Sequence, residues 1–73
     1  MHSICVTYDA HIGRDVGEAA CSLPICDELY DQLQNGEGDI AHYLIEPALI
    51  CIEQLRGRCY VPGSVKDIRL KED

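Results

Sequence analysis

Five cysteines and three histidines are the side chains of this sequence best suited to bind a metal ion or to attack a substrate. Zinc knuckles and ribbons take pairs of ligands that lie close together on one tight loop. The closest cysteines, Cys21 and Cys26, have four intervening residues including a proline, and no second pair matches them. The spacing therefore predicts no metal site. An isolated disulfide between the same two cysteines is the less favoured alternative.

Nucleophilic catalysis needs a thiol or hydroxyl within reach of a base, and a third group that orients the base. Cysteine, histidine and aspartate all occur, but no nucleophile is flanked by glycines. The glycines of residues 13–17 (GRDVG) lack the Lys-Ser/Thr pair of a phosphate-binding loop. A chain of 73 residues also leaves little room for both a core and a substrate cleft. We predict no catalytic residue, no cofactor and no enzymatic activity.

The cysteines and the first residues also bear on the compartment. Because five is an odd number, complete internal pairing is impossible. The start of the sequence, MHSIC, lacks the cationic stretch and apolar block of a signal peptide, and no apolar run approaches the ~20 residues that span a bilayer. We therefore expect a cytoplasmic protein with unpaired thiols, of which Cys5 and Cys51 are predicted to lie in the core.

The net charge is −7, and the negative charge is concentrated in the first three quarters of the chain. Up to residue 54, Arg14 is the only Lys or Arg, whereas there are ten carboxylates. After residue 54, five cations outnumber three acids. Such a field repels nucleic acids and membrane surfaces and attracts basic protein surfaces. We predict neither direct nucleic-acid binding nor membrane binding.

A run of acids follows Pro24, where the sequence predicts a helix. Asp27 and Asp31 are four residues apart, so on a helix these like charges lie side by side and repel each other. Tyr30, between them, combines a large contact area with a polar tip. The predicted partner-binding residues are Asp27, Glu28, Tyr30, Asp31, Glu37 and Asp39. A plain solvated acidic face is the alternative, because anions in a first turn also stabilise the helix dipole.

Apolar periodicity predicts the elements that carry these residues. Residues 3–8 (SICVTY) alternate as a strand. Residues 9–17 contain two glycines and three charges and are expected to form a loop, with a short helical turn over 16–21. Ser22 as the cap and Pro24 in the first turn then predict the start of the acidic helix.

Two helix ends and a second helix follow. Asn35 and Gly36 supply the left-handed stop of the first helix, and Asp39 is expected to cap the second. The predicted core-facing stripe of the second helix consists of Ile40, Leu44, Ala48, Cys51, Ile52 and Leu55. Pro47 removes one backbone hydrogen bond, so we expect two helical pieces with a bend between them. Gly57 ends the second piece.

The C-terminal residues predict the rest of a small sheet. Residues 59–61 begin a strand, 62–63 (PG) form a turn, and 65–71 alternate as a second strand. The sequence therefore predicts a single compact α+β domain over residues 1–73. In it, a small antiparallel sheet, made of the N-terminal strand and a C-terminal strand or hairpin, packs against two to three helices.

Charge and size together favour a function in protein binding. In length and acidity, and in no motif, the chain resembles phage- and plasmid-encoded antagonists such as anti-CRISPR and anti-restriction proteins. We predict a small non-enzymatic inhibitor or regulator whose carboxylates occupy a basic groove that normally holds nucleic acid, on a protein of a nucleic-acid-handling complex. Tyr30 and neighbouring aliphatics would supply the desolvated centre.

Two other classes of protein stay open. One is an obligate homodimer or subunit-type structural protein, which would explain how a core without Phe or Trp is completed. The other is a metal or redox regulator that uses Cys21 and Cys26.

Overall fold

A computed structural model describes residues 2–36 and 38–72 of the chain, and the side chains of residues 38–41 are outside that description. Four antiparallel strands form one sheet, and two helices pack on one of its faces. The elements are β1 (His2–Ile12), β2 (Asp15–Ile25), α1 (Asp27–Gln34), α2 (Gly38–Leu55), β3 (Cys59–Tyr60) and β4 (Asp67–Glu72). The predicted α+β fold, with an antiparallel sheet against two helices, is confirmed.

Strand β1 is the centre of the sheet. It pairs with β2 along its whole length on one edge, and it pairs with β4 and then β3 on the other edge. Four alternate residues of β1 are fully buried beneath the helices, namely Ile4, Val6, Tyr8 and Ala10. This alternation defines an inner face, which carries the core, and an outer face without a helix over it. The predicted N-terminal strand is therefore confirmed and is longer than expected.

Strand β2 replaces the predicted loop and helix start, and this part of the sequence prediction was wrong. The chain turns at Gly13, which has a φ of 65°, and pairs back on β1 from Asp15 to Ile25. That pairing buries Cys21 and Leu23 on the inner face. Burial against β1 outweighs the local preference of a Ser-x-Pro segment for a helix start. Pro24 is tolerated because β2 is an edge strand.

Helix α1 begins later than predicted and ends where predicted. Cys26 occupies the N-cap position without a side-chain hydrogen bond, so Ser22 is not the cap. The C-cap is Asn35, and Gly36 follows with a φ of 85°. Leu33 packs against the core from this helix. The left-handed glycine at the end of α1 was thus a reliable local signal.

Helix α2 buries a different face from the predicted one. Ile45, Leu49 and Glu53 are buried, and Ile52, which belongs to the predicted stripe, packs against the core as expected. Of the predicted core-facing stripe, Leu44, Ala48, Cys51 and Leu55 are exposed, and the side chain of Ile40 lies outside the described residues. The helix carries apolar residues on two adjacent stripes, so periodicity does not say which stripe faces the sheet. The stripe containing Glu53 is the buried one because the fold supplies ionic partners for that carboxylate.

Pro47 lies inside α2, which is a single helix and not the predicted pair of helical pieces. Proline cannot donate to the carbonyl of Tyr43. Both side chains are exposed, so water can reach the carbonyl that loses its partner. The cost of the proline is therefore reduced by its position on the solvent side of the helix.

The C-terminal elements agree with the sequence prediction. Gly57 and Gly63, with φ of 74° each, close α2 and the turn before β4. Strand β3 is short, and β4 turns Ile68 toward the core. Lys66 begins the contact of this segment with β1, because its N–H donates to the carbonyl of Thr7 at 2.7 Å. The predicted C-terminal strands are present, but β3 and β4 both pair with β1 along the same edge and, within the described residues, do not form a hairpin with each other.

The cysteines do not lie where the sequence predicted them. Cys51 is exposed on α2, and Cys5 is half-buried on the outer face of the sheet, so the prediction that both are core thiols was wrong. Cys21 is the buried thiol of β2. Cys21 and Cys26 are free, and an extended chain holds them about 16 Å apart, which is too far for a disulfide.

Candidate protein-binding surfaces

Helix α1 carries three of the predicted binding residues on its exposed surface. Asp27, Glu28 and Asp31 are all exposed, and the side chain of Asp27 is 87% exposed. Asp27 accepts a hydrogen bond from the Nδ1 atom of His2 at 2.7 Å. Within the described residues, none of these three carboxylates forms an ion pair with a lysine or arginine. We call these three residues the acidic face of α1.

Tyr30 is less available to a partner than the sequence suggested. Its ring stacks on the imidazole of His2, with ring centroids 3.9 Å apart and an interplanar angle of 21°. The contact leaves Tyr30 half-buried and ties the start of β1 to α1. Glu37 lies outside the described residues, and of Asp39 only the backbone is described, within the first turn of α2.

The remaining acids are dispersed, and the basic C-terminal quarter folds back to pair with several of them. Lys66 Nζ lies 3.0 Å from Asp9 and 3.5 Å from Glu18. Arg69 lies 2.7 Å from Asp67. The hydrogen bond to Asp9 raises the pKa of Lys66. Folding thus neutralises part of the negative charge that the sequence concentrates in its first three quarters. The carboxylates on the acidic face of α1 are among those that are not neutralised.

A buried ionic cluster joins α2 to β1. Glu53 is fully buried, and its Oε1 atom accepts a hydrogen bond from the Tyr8 hydroxyl at 2.5 Å. The Nε atom of Arg58 lies 2.7 Å from Glu53 Oε2, and its Nη2 atom donates to Oε1 at 3.1 Å. Arg56 Nη1 donates to the same oxygen at 3.2 Å. One carboxylate therefore joins the middle of the sheet, the end of α2 and the chain beyond Gly57.

Burial and hydrogen bonding shift the pKa values of Glu53, Tyr8 and the neighbouring Cys21. Burial acts to raise the pKa of Glu53, but hydrogen bonds from Tyr8 and Arg58 and the two arginine charges outweigh it and lower the pKa. Burial and the hydrogen bond to Glu53 raise the pKa of Tyr8. Burial also raises the pKa of the Cys21 thiol, which makes it a poor nucleophile at neutral pH. The cluster holds one fixed charge between two arginines and neutral neighbours.

The outward side of α2 is an exposed apolar surface. Tyr43 is 82% and Leu55 is 89% exposed, and Leu44 and Ile50 are also exposed. Because these residues lie at helical spacing on the side opposite Leu49, they share one surface together with Pro47, Ala48 and Cys51. A shallow depression of about 290 Å³ lies within it, lined by Tyr43, Glu46, Pro47 and Ile50. We call this surface the apolar face of α2.

A second depression separates α1 from β4. It has a volume of about 590 Å³, is open to solvent, and is lined in part by Leu33, His42, Lys66, Arg69 and Leu70. Its lysine and arginine are already paired with carboxylates. The groove therefore offers little unpaired charge for recognition of a small ionic ligand.

Among the side chains of residues 2–36 and 42–72, no group of three His, Cys, Asp or Glu is placed to hold a metal ion. Within the described residues, neither helix is both long and apolar enough to cross a bilayer.

No protein-family model, curated protein or solved structure matches the chain. The function is therefore inferred from the geometry of the molecule alone.

Sequence reasoning missed the Glu53 cluster and the apolar face of α2. Ile45, Leu49, Ile52 and Glu53 lie at helical spacing, and this pattern was the available signal for the buried stripe. A glutamate on a helical stripe indicates that the stripe faces solvent, unless the carboxylate is paired with a cation or a hydrogen-bond donor. Its partner Tyr8 is 45 residues away in the chain, so no local pattern could reveal the pairing.

Proposed function

We propose that this protein acts by binding another protein and not by catalysing a reaction. Its partner presents a basic surface, such as the nucleic-acid-binding groove of a protein in a nucleic-acid-handling complex. The observation that carries the proposal is the acidic face of α1, whose carboxylates lack a lysine or arginine partner among the described residues. Complementary charge draws such a surface to a basic one and penalises other partners.

The apolar face of α2 supports the same function because it supplies apolar side chains that a partner can bury. Binding energy at protein interfaces comes largely from a few desolvated aromatic and aliphatic side chains, with charges at the rim. Tyr43 and Leu55 are exposed side chains of that kind, whereas Tyr30 is partly covered by His2. We therefore propose that the desolvated centre of the contact with the partner is the apolar face of α2 and not Tyr30. Occupation of the basic groove would exclude nucleic acid from it.

The acidic face is tested by reversing its charge. Asp27→Lys with Asp31→Lys is expected to weaken binding by about 100-fold or more, because like charges would then face the partner. The measurement is affinity capture from the native host at low salt, followed by a salt ramp that elutes the bound proteins. Wild type should release a basic nucleic-acid-binding protein as the salt concentration rises, and the double variant should not retain it.

The matched control reverses two other exposed acids, with Asp15→Lys and Asp67→Lys. Its net charge equals that of the α1 variant, and the exposed Asp67–Arg69 pair contributes little to stability. Capture that is equal for the two double variants, or indifferent to salt, would contradict a role for the acidic face.

The apolar face of α2 makes a separate prediction. Tyr43→Ala with Leu55→Ala should leave thermal stability nearly unchanged, because both side chains are more than four-fifths exposed. Binding of the captured partner, purified and measured by calorimetry, should weaken by about 10- to 100-fold. Unchanged affinity would show that α2 lies outside the contact.

A homodimeric or subunit-type structural protein is the second candidate function. The apolar face of α2 favours it as well, because a second copy could cover that face. The two candidates differ in the effect of the Tyr43 and Leu55 variant. In the structural protein this variant would change the oligomeric state, and in the proposed inhibitor it would change only binding of the partner.

A further inference from the structure

Strand β2 has a free edge. The sheet order is β2-β1-β3 with β4 also on β1, so β2 is an outer strand, and within residues 2–36 and 38–72 no other strand pairs with it. The strand is 11 residues long. A long edge strand presents a row of backbone donors and acceptors that another strand can complete.

The register identifies the backbone groups on that edge. The carbonyls of Thr7 and Asp9 accept from Lys66 and Val61, so the odd residues of β1 bond toward β3 and β4. The even residues of β1 then bond to their partners in β2, which are the odd residues of that strand. The N–H groups that point away from the sheet therefore belong to Val16, Glu18, Ala20 and Ser22. Pro24, the next in this series, has no N–H to lose at a free edge.

Within the described part of the chain, neither helix makes its main contacts with this edge. After β2 the chain enters α1, which contacts β1 and β4 and so crosses the sheet away from the free edge. Glu18 is the single charged side chain among the outward-bonding residues, and Ala20 and Ser22 at the centre are small and exposed. Charged side chains and bulges are the usual protection of an exposed edge, and the centre of this strand has no charged side chain.

We propose that β2 pairs with β2 of a second copy of this chain, antiparallel and about a two-fold axis near Ala20, so that the two sheets become one. With the axis at Ala20, each of the four outward N–H groups meets a carbonyl of the other copy. Glu18 then lies opposite Ser22. An axis at Glu18 would instead place two carboxylates face to face, which disfavours that register.

Charge complementarity supports a second copy as the occupant. In the register centred on Ala20, Arg14 of one copy lies opposite position 26 of the other, next to Asp27 and Glu28. Arg14 is exposed and forms no ion pair within the described part of the chain. Among the described residues of one copy, the acidic start of α1 likewise has no lysine or arginine as an ion-pair partner. The same symmetry operation that completes the hydrogen bonds therefore brings the opposite charges together.

Substitution of Ala20 tests the strand pairing by sedimentation across a concentration series. Wild type is expected to be a dimer that dissociates on dilution. Ala20→Pro removes the central N–H but no hydrogen bond to β1, so the monomer should stay folded by circular dichroism. The dimer dissociation constant should rise about 30-fold or more, because two symmetry-related hydrogen bonds are lost together. Ala20→Ser, which keeps the N–H, is the matched control and should leave the constant within about threefold.

A charge exchange tests the register without changing the strand backbone. Arg14→Glu should weaken the dimer by about tenfold, and Asp27→Arg with Glu28→Arg in the same chain should restore it. A wild type that is monomeric at every soluble concentration would overturn the proposal. So would a dimer that survives Ala20→Pro and is lost in the Tyr43→Ala and Leu55→Ala variant, because that result would place the interface on α2.

The dimer and the proposed function can fail separately. Ala20→Pro leaves the acidic face of α1 and the apolar face of α2 intact and frees Asp27 and Glu28 from Arg14 of the other copy, so the monomeric variant should bind the captured basic protein at least as well as wild type does. Loss of dimerisation with retained capture supports both inferences. A dimer that captures no basic protein would keep the strand pairing and remove the proposed function.

Discussion

Glu53→Ala should lower the free energy of unfolding by about 3 kcal/mol, at the lower end of the cost of breaking a buried ion pair, because it leaves the partly buried guanidinium of Arg58 without its counter-ion. Glu53 is the one acceptor that Tyr8, Arg56 and Arg58 share in the structure. Removal of the carboxylate leaves the Arg58 guanidinium and the Tyr8 hydroxyl without an acceptor, because these residues offer no other acceptor in the site. The single core of so small a domain rarely supplies more than about 3–5 kcal/mol of net stability, so the variant should be close to unfolding at room temperature.

Urea denaturation followed by circular dichroism measures this loss, with Tyr8→Phe as the comparison. That variant removes one hydrogen bond and keeps the ion pairs, so it should cost only about 1–2 kcal/mol. If the two variants lose equal stability, the arginines do not depend on Glu53 and the cluster is not the link between α2 and β1. Glu53→Gln, which keeps the shape of the side chain and removes the charge, should fall between the two.

The pH dependence of stability follows from the lowered pKa of Glu53. Because the folded protein holds this carboxyl at a pKa below its ordinary value of 4.5, its contribution is complete above that value. The contribution is lost as the pH falls below 4.5 through the lowered pKa of the folded state. Wild type should therefore lose stability on acidification more steeply than Glu53→Gln. Parallel curves for the two proteins would contradict the assignment.

Leu49→Ala and Leu55→Ala should differ sharply although the residues lie on the same helix. Leu49 is fully buried, and truncation of a buried leucine costs about 2–5 kcal/mol through lost transfer energy and the cavity that remains. Leu55 is 89% exposed, so its truncation should change stability by less than about 0.5 kcal/mol. Both substitutions replace leucine with alanine in a helix, so helix propensity changes by the same amount and cancels in the comparison.

The leucine pair also decides between the two apolar stripes of α2. The sequence stripe that includes Leu44, Cys51 and Leu55 predicts the opposite order of costs. If urea denaturation shows a larger loss of stability for Leu55→Ala, the stripe containing Leu55 faces the core. The apolar face of α2 would then not be a binding surface. A larger loss for Leu49→Ala would leave that face free for a partner.

Local chemistry determined several elements from the sequence alone. The alternation of Ile4, Val6 and Tyr8 identifies β1, because a strand with one buried face repeats every two residues. Gly36 and Gly57 mark the ends of both helices, because only glycine adopts positive φ there without cost. The acids of α1 were also visible, because neighbours on a helix are close in sequence.

Long-range contacts decided the rest. β2 is a strand because β1 offers it a full-length partner, and no local signal in residues 15–25 states that such a partner exists. The buried face of α2 was hidden because Glu53 makes its stripe look polar until Tyr8 and Arg58 neutralise the carboxylate. The distribution of charge was likewise set by folding, since Lys66 reaches Asp9 and Glu18 across the sheet. Composition and periodicity show which residues are apolar or charged. The energies of strand pairing and ion pairing depend on residues far apart in the chain, and only the tertiary structure brings those residues together.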